Sequence, residues 1–209
     1  MHAPRHVRTL AELSADQLAL VAEAWQRRSR DSQGHGFAYL HAFVNEGRAS
    51  GASLAHSHSQ LVALSEPPPV VALELRRLER DACVLCELTA RELADGRHVI
   101  AERDGIAAFA HPAGRAPYEL LIAPLEHLAE GTAADELLVR ALELLAEGIR
   151  RLRRVEGPVS WNAWLHSGGH WHMEVLPRLT VFGGIELGAG IYVNTVSPED
   201  AAAALRAAS

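Results

Sequence analysis

The stretch "GASLAHSHSQLVAL", residues 51–64, decides how the rest of the chain is read. In an extended segment, residues two apart point to the same face. His56, His58 and Gln60 would then form one polar row, with Ser57 and Ser59 facing the other way. Two imidazoles and an amide in a row make a poor core and a good seat for a metal or a phosphate.

Outward from this row, the chain repeats an order of signals. The first copy runs "APRH" (3–6), "LSADQLALVAEAWQRR", "YLHAFVNEG" and "HSHSQLVAL"; the second runs "APLEH" (123–127), "TAADELLVRALELLAEGIRRLRR", "WNAWLHSGG" and "HWHMEVL". Each reads as a strand ending in Pro and His, an amphipathic helix, a strand, a Gly-containing turn and a strand with His-x-His. Ser14 with Gln17 and Thr132 with Asp135 read as helix N-caps. Leu18, Val21 and Trp25 share one helix face, as do Leu138, Leu142, Leu145 and Ile149. Asp104-Gly105 suits a tight hairpin turn. The three prolines at 67–69 mark a stiff connection. The tail from 179 reads as strands followed by a helix capped by Ser197, with Pro198 in its first turn. The expected fold is α+β: two related halves on one antiparallel sheet flanked by helices. Residues 1–66 form the first half, 67–82 a linker and 83–209 the second half. Only five residues precede His6, whereas a longer lead-in with "CVLC" precedes His127, so the first half reads as incomplete and N-terminally truncated.

Composition bounds the function. A net charge of −6 gives no general attraction to nucleic acid or to anionic membranes. No apolar run approaches the ~20 residues of a membrane span, and the opening "MHAPRHVRTL" lacks the apolar segment expected of a signal peptide. Two cysteines fit a reducing cytoplasm better than a disulfide framework. The cluster Arg150, Arg151, Arg153 and Arg154 reads as the solvated end of a helix. His2, His35, His41, His98 and His111 have no evident partner and read as surface or packing residues.

Cys83-x-x-Cys86 fits either a redox pair or a metal site. A redox pair normally opens a helix, whereas this one reads as a short segment before a strand, and histidines recur at the matching ends of later strands. Zinc accepts two thiolates and two imidazoles; Cys83, Cys86, His127 and His170 would supply them. By the repeat, His6 and His56 form half of an equivalent first site.

"NEGRASGASLAHSHSQ" (45–60) resembles the active-site segment of galactose-1-phosphate uridylyltransferases, the nucleotidyltransferase branch of the histidine triad superfamily. The resemblance extends to "CVLC", "APLEH", "HWHMEVLPRLTVFGGIELGAGIYVN" and "SPEDAAAALR". It implies that His58 is the nucleophile taking a nucleoside monophosphate from a nucleotide sugar, with His56 a structural metal ligand. Gln60 would hydrogen-bond the transferred phosphoryl group, and Asn45, Gly51 and Ser53 would lie around the phosphates. Glu174 stands in the second half where Gln60 stands in the first, so His172 reads as a pocket residue. Some relatives use histidines here, with a glutamate, to bind iron; "CVLC" favours zinc. The implied activity is UDP-glucose–hexose-1-phosphate uridylyltransferase-like, with zinc, nucleotide sugar and sugar phosphate as its partners. A cytoplasmic homodimer of galactose metabolism, without nucleic acid or membrane, completes the expectation. "HSHSQ" also resembles relatives that phosphorolyse ADP-sugars. A catalytically inactive zinc-stabilised fragment is the reading from a different class.

Overall fold

The computed structural model describes every residue except 79–82 and 130–134. Seven strands form one antiparallel sheet: β1 (Tyr39–Glu46), β2 (Ser59–Leu64), β3 (Val99–Arg103), β4 (Ile106–Ala110), β5 (Leu120–Pro124), β6 (Trp161–His166) and β7 (His172–Pro177). Their order is β2-β1-β6-β7-β5-β4-β3. The two halves meet where β1 pairs with β6, Ala42 opposite Leu165 and Asn45 opposite Asn162. The fold is α+β.

Alternation along the strands sorts the side chains. Ala42, Val44, Leu120, Ile122, Ala163, Leu165, Met173 and Val175 are buried in the main core. Against them pack Leu18, Val21 and Trp25 of α1 (Ala15–Gly34) and Leu138, Leu142, Leu145 and Ile149 of α4 (Asp135–Glu156). Each fully buried aliphatic side chain contributes roughly 1.5–3 kcal/mol. The alternate residues, among them His41, Phe43, Asn45, Asn162, Trp164, His166, His172 and Glu174, point to the other face. There α3 (Val84–Asp95) covers the β4–β5 end, with Leu85 on Ala107, Phe109, Leu121 and Ala123.

Local chemistry sets the element ends. Ser14 and Gln17 form a reciprocal capping box, and Ser197 Oγ accepts from the Asp200 amide at the start of α6 (Pro198–Ala207). The Thr132 cap lies outside the described residues. Asp104 and Gly105 both have positive φ, 50° and 83°, which a tight hairpin turn twisted like its strands requires. Pro69 opens a helix, α2 (Pro69–Leu78), within the expected linker, since proline fits a first helical position. No helix among the described residues is long and apolar enough to cross a membrane.

Several expected features differ. Residues 3–6 are not a strand; single backbone bonds from His2 N to Ser57 O (3.1 Å) and from Ser57 N to Val7 O (2.8 Å) tie this segment down. Its counterpart β5 is instead paired on both sides. The tail holds no strand between 179 and 197 but a short helix, α5 (Gly184–Ala189), ended by Gly190 at φ 67°. Four glycines over 183–190 weaken extended pairing there. Three of the four arginines ending α4 are engaged: Arg150 donates to Ala11 O, Arg151 to Leu205 O and Arg154 to Ala208 O. His98 is also engaged, buried with Nδ1 2.5 Å from Glu92 and Nε2 3.2 Å from Glu199, so it ties α3 to α6.

His2 is buried, its Nδ1 2.9 Å from Ser57 Oγ. Burial, aided by the nearby N-terminal amine and by His58 and His56, lowers its pKa to about 3. The folded chain therefore keeps His2 neutral while the unfolded chain protonates it below its ordinary value. Stability is lost as pH falls through ~6.5, at about 1.4 kcal/mol per pH unit for one such group. Urea denaturation at neutral and mildly acidic pH should show a shallower loss in His2→Gln than in wild type. Equal losses would remove His2 as a source of acid sensitivity.

Candidate functional site

His56 and His58 lie just before β2 rather than within it, because pairing with β1 ends at Val44–Ser59, after which β1 turns away through Gly47 at φ 84°. Of the polar row, Gln60 alone is in the strand, exposed and opposite Phe43. His58 is 7% exposed, and its Nδ1 lies 2.9 Å from the carbonyl of His56. A proton on Nδ1 donates to that carbonyl, which leaves the lone pair on Nε2. The second half repeats the arrangement: His172 Nδ1 lies 3.1 Å from His170 O.

The segment between β1 and β2 is a folded loop. Asn162 Nδ2 donates to Asn45 Oδ1 (2.7 Å) and to Ser50 O (2.9 Å), so a residue of the second half fixes both ends of the turn. A Cβ at Gly47 would come 2.2 Å from Ser160 Oγ, so glycine is required by space as well as by φ. Asn45 and Gly51 line one cavity with His41, Phe43, Asn162 and Trp164. Ser53 lines a different one, so the structure separates it from the other two expected phosphate residues. Asn162 belongs to no motif; a lone amide in the apolar strand "WNAWLH" is its sequence signal.

Cys83, Cys86, His127 and His170 converge. Cys83 Sγ lies 3.4 Å from His170 Nδ1, and Cys86 Sγ lies 3.5 Å from His127 Nδ1 and 3.3 Å from His170 Nδ1. A tetrahedron with zinc–sulfur bonds of ~2.3 Å and zinc–nitrogen bonds of ~2.0–2.1 Å has S···N edges of about 3.5 Å. The donors fit a metal ion. His170 Nε2 lies 3.0 Å from Pro124 O, which holds the proton there and turns Nδ1 to the thiols. One expectation is corrected: Cys83 is the N-cap of α3, so the pair does open a helix. What separates it from a redox pair is the two imidazoles, and a Cys86 thiol pushed up to about 11 by burial and by Cys83 beside it. Redox thiols are shifted the other way. His6 and His56 stand as His127 and His170 do, ring centroids 5.1 Å apart against 5.2 Å. The chain's two cysteines both serve the second site.

A further cluster brings a glutamate from the expected linker to His166 and His172. Glu74 of α2 reaches His166 Nδ1 (2.5 Å) and His172 Nε2 (3.3 Å), a carboxylate and two imidazoles that could hold a cation. Glu74 was assigned to the linker, where no pattern marked it. Burial lowers the pKa of His172, reinforced by His166. Beside it, Arg115 pairs with Glu119 and Glu174 and lies 5.3 Å over the Trp164 ring. Burial opposes the charged form of Glu174, but Arg115, with smaller help from His166 and His172, holds its carboxyl below the ordinary value. The second half thus presents a paired carboxylate where the first presents an exposed amide.

Comparison with known proteins agrees with this geometry. The family model "Galactose-1-phosphate uridyl transferase, N-terminal domain" matches residues 1–68. An ADP-glucose phosphorylase of Arabidopsis thaliana is 28% identical, covering 100% of this chain and 63% of the relative. A galactose-1-phosphate uridylyltransferase of Thermotoga maritima is 25% identical, covering 96% of this chain and 70% of the relative. A solved uridylyltransferase superposes with a TM-score of 0.91 at 27% identity, over 99% of this chain and 72% of that one. Sequence and structure together support the galactose-1-phosphate uridylyltransferase family as the one this chain resembles. Another solved member, ADP-glucose phosphorylase from Arabidopsis thaliana with bound ADP-glucose, matches at 28% identity with a TM-score of 0.86, over 98% of this chain and 71% of that one. The chain thus spans slightly under two thirds of the plant phosphorylase's length.

Proposed function

We propose that this chain is a nucleotidyltransferase that moves a nucleoside monophosphate from a nucleotide sugar to a sugar 1-phosphate through His58. The observation that carries the reading is the imidazole of His58, locked at Nδ1 by the His56 carbonyl and followed by Gln60 at the start of β2. Nε2 attacks the α-phosphorus without first losing a proton, the bond to the bridging oxygen breaks, and sugar 1-phosphate leaves. The cation developing on the ring is steadied by the Nδ1–H···O=C bond. The phosphoramidate then passes its nucleotidyl group to the incoming phosphate, and Nε2 regains its lone pair. Gln60 donates to the phosphoryl oxygens, and the loop that carries Asn45 and Gly51 supplies further donors, without Ser53, which lines a different cavity. Residues 1–66 are the catalytic half and 83–209 the zinc-bearing half, joined by 67–82. Zinc on Cys83, Cys86, His127 and His170 is structural, and His6 and His56 are a partial first site. The working form is a cytoplasmic homodimer.

A second reading, phosphorolysis of an ADP-sugar, draws on the match of this whole chain to 63% of an ADP-glucose phosphorylase. Incubation with UDP-glucose or ADP-glucose, each with galactose 1-phosphate or orthophosphate, separates the two. Exchange with UDP-glucose and the sugar phosphate supports the first; ADP release from ADP-glucose with orthophosphate supports the second. Turnover of neither donor would leave the inactive, zinc-stabilised fragment.

Gln60→Ala should lower turnover by about 10²–10³, the usual cost of one transition-state donor, with little change in substrate binding. Steady-state kinetics decide it: a raised KM with normal kcat contradicts the role.

A further inference from the structure

A hollow of about 380 Å³ opens between the segment before α1, the end of β1 and the last turn of α4. Three arginines from three separate stretches line it: Arg8, Arg48 and Arg153. Elsewhere Arg28, Arg97, Arg103, Arg115, Arg140 and Arg151 meet carboxylates. The side chains of these three make no ion pair or hydrogen bond among the described residues. The one carboxylate in the lining, Glu46, is buried and already accepts from Leu10 N and Trp161 Nε1, each at 2.8 Å. Arg153 acts on Glu46 only through its field. On an acidic chain this is a local excess of positive charge facing an open hollow.

We infer that the hollow is a second binding site, for a phosphate-bearing anion, either orthophosphate or the phosphate group of a sugar phosphate. Guanidinium forks match phosphate oxygens two at a time, and the volume suits one small phosphorylated molecule. The site is separate from the proposed catalytic row, since neither His58 nor Gln60 lines it. Its wall includes Ala52 to Ala55, the residues that lead directly into His56 and His58. A bound anion therefore braces the loop from behind, and binding there does not depend on the transferase reading.

The test is calorimetric titration of the full chain with orthophosphate and, separately, with glucose 1-phosphate. The proteins are wild type, Arg153→Glu, the Arg8→Ala/Arg153→Ala double variant and His58→Asn, with thermal melts to verify folding. Arg153→Glu should weaken binding at least about tenfold, the scale of one lost charge-assisted contact, while His58→Asn keeps it. Arg153→Lys should retain part of the affinity. Equal affinity for the two anions identifies orthophosphate as the sufficient ligand, and a preference for glucose 1-phosphate identifies the sugar phosphate; either supports the site. Affinity lost in His58→Asn but unchanged in both arginine variants overturns it. So does no binding of either anion up to about 10 mM, beyond the weak end of useful affinity.

Discussion

His58→Asn should lower nucleotidyl transfer by at least about 10⁴-fold, the scale on which loss of a covalent nucleophile acts. Asparagine keeps a polar side chain of similar reach but has no lone pair on nitrogen to attack phosphorus. The fold should survive, because asparagine is smaller than histidine and the bond His58 makes to the His56 carbonyl lies within its own segment. Nucleotide sugar labelled in the α-phosphate should leave an acid-labile adduct on wild type and none on His58→Asn. Adding Gln60→Ala to His58→Asn should cost little more, since a donor serving one transition state has nothing left to stabilise. An adduct of normal yield in the variant would take His58 out of the reaction.

Removing the metal should be as damaging to the fold as removing His58 is to the chemistry. Cys83 and Cys86 begin α3, which covers the β4–β5 end of the sheet, while His127 and His170 follow β5 and precede β7. One ion would therefore bind three elements that are far apart in the chain. Structural zinc contributes its binding energy to folding, because the unfolded chain has no preformed site. A loss of about 5 kcal/mol in Cys83→Ser corresponds to about 10–20 °C in Tm for a chain of this size. Elemental analysis after dialysis should give close to one zinc per chain, since His6 and His56 supply imidazoles without thiolates. Two tightly held ions would show that the first site is completed by another route. None, with an unchanged melting temperature in Cys83→Ser, would remove the metal altogether.

Periodicity made α1 and α4 legible, because Leu18, Val21, Trp25 and the Leu138–Ile149 stripe bury one face whatever lies opposite. The Asp104-Gly105 turn and the Ser14 and Ser197 caps were equally local, each a backbone need met by a neighbouring residue. The repeat placed Cys83, Cys86, His127 and His170 in one set, since metal ligands keep their spacing through the elements that carry them. What pattern could not decide depended on partners distant in sequence. Residues 3–6 and the tail after 179 carry strand-like residues, but a strand exists only where another offers its edge. Whether "CVLC" opened a helix turned on the packing of Leu85 against β4 and β5. Asn162 at Asn45, Glu74 between His166 and His172, and three arginines around one hollow came from segments with no shared signal. Local sequence set each residue's conformation and chemistry; which side chains meet was decided by the sheet order that joins β1 to β6.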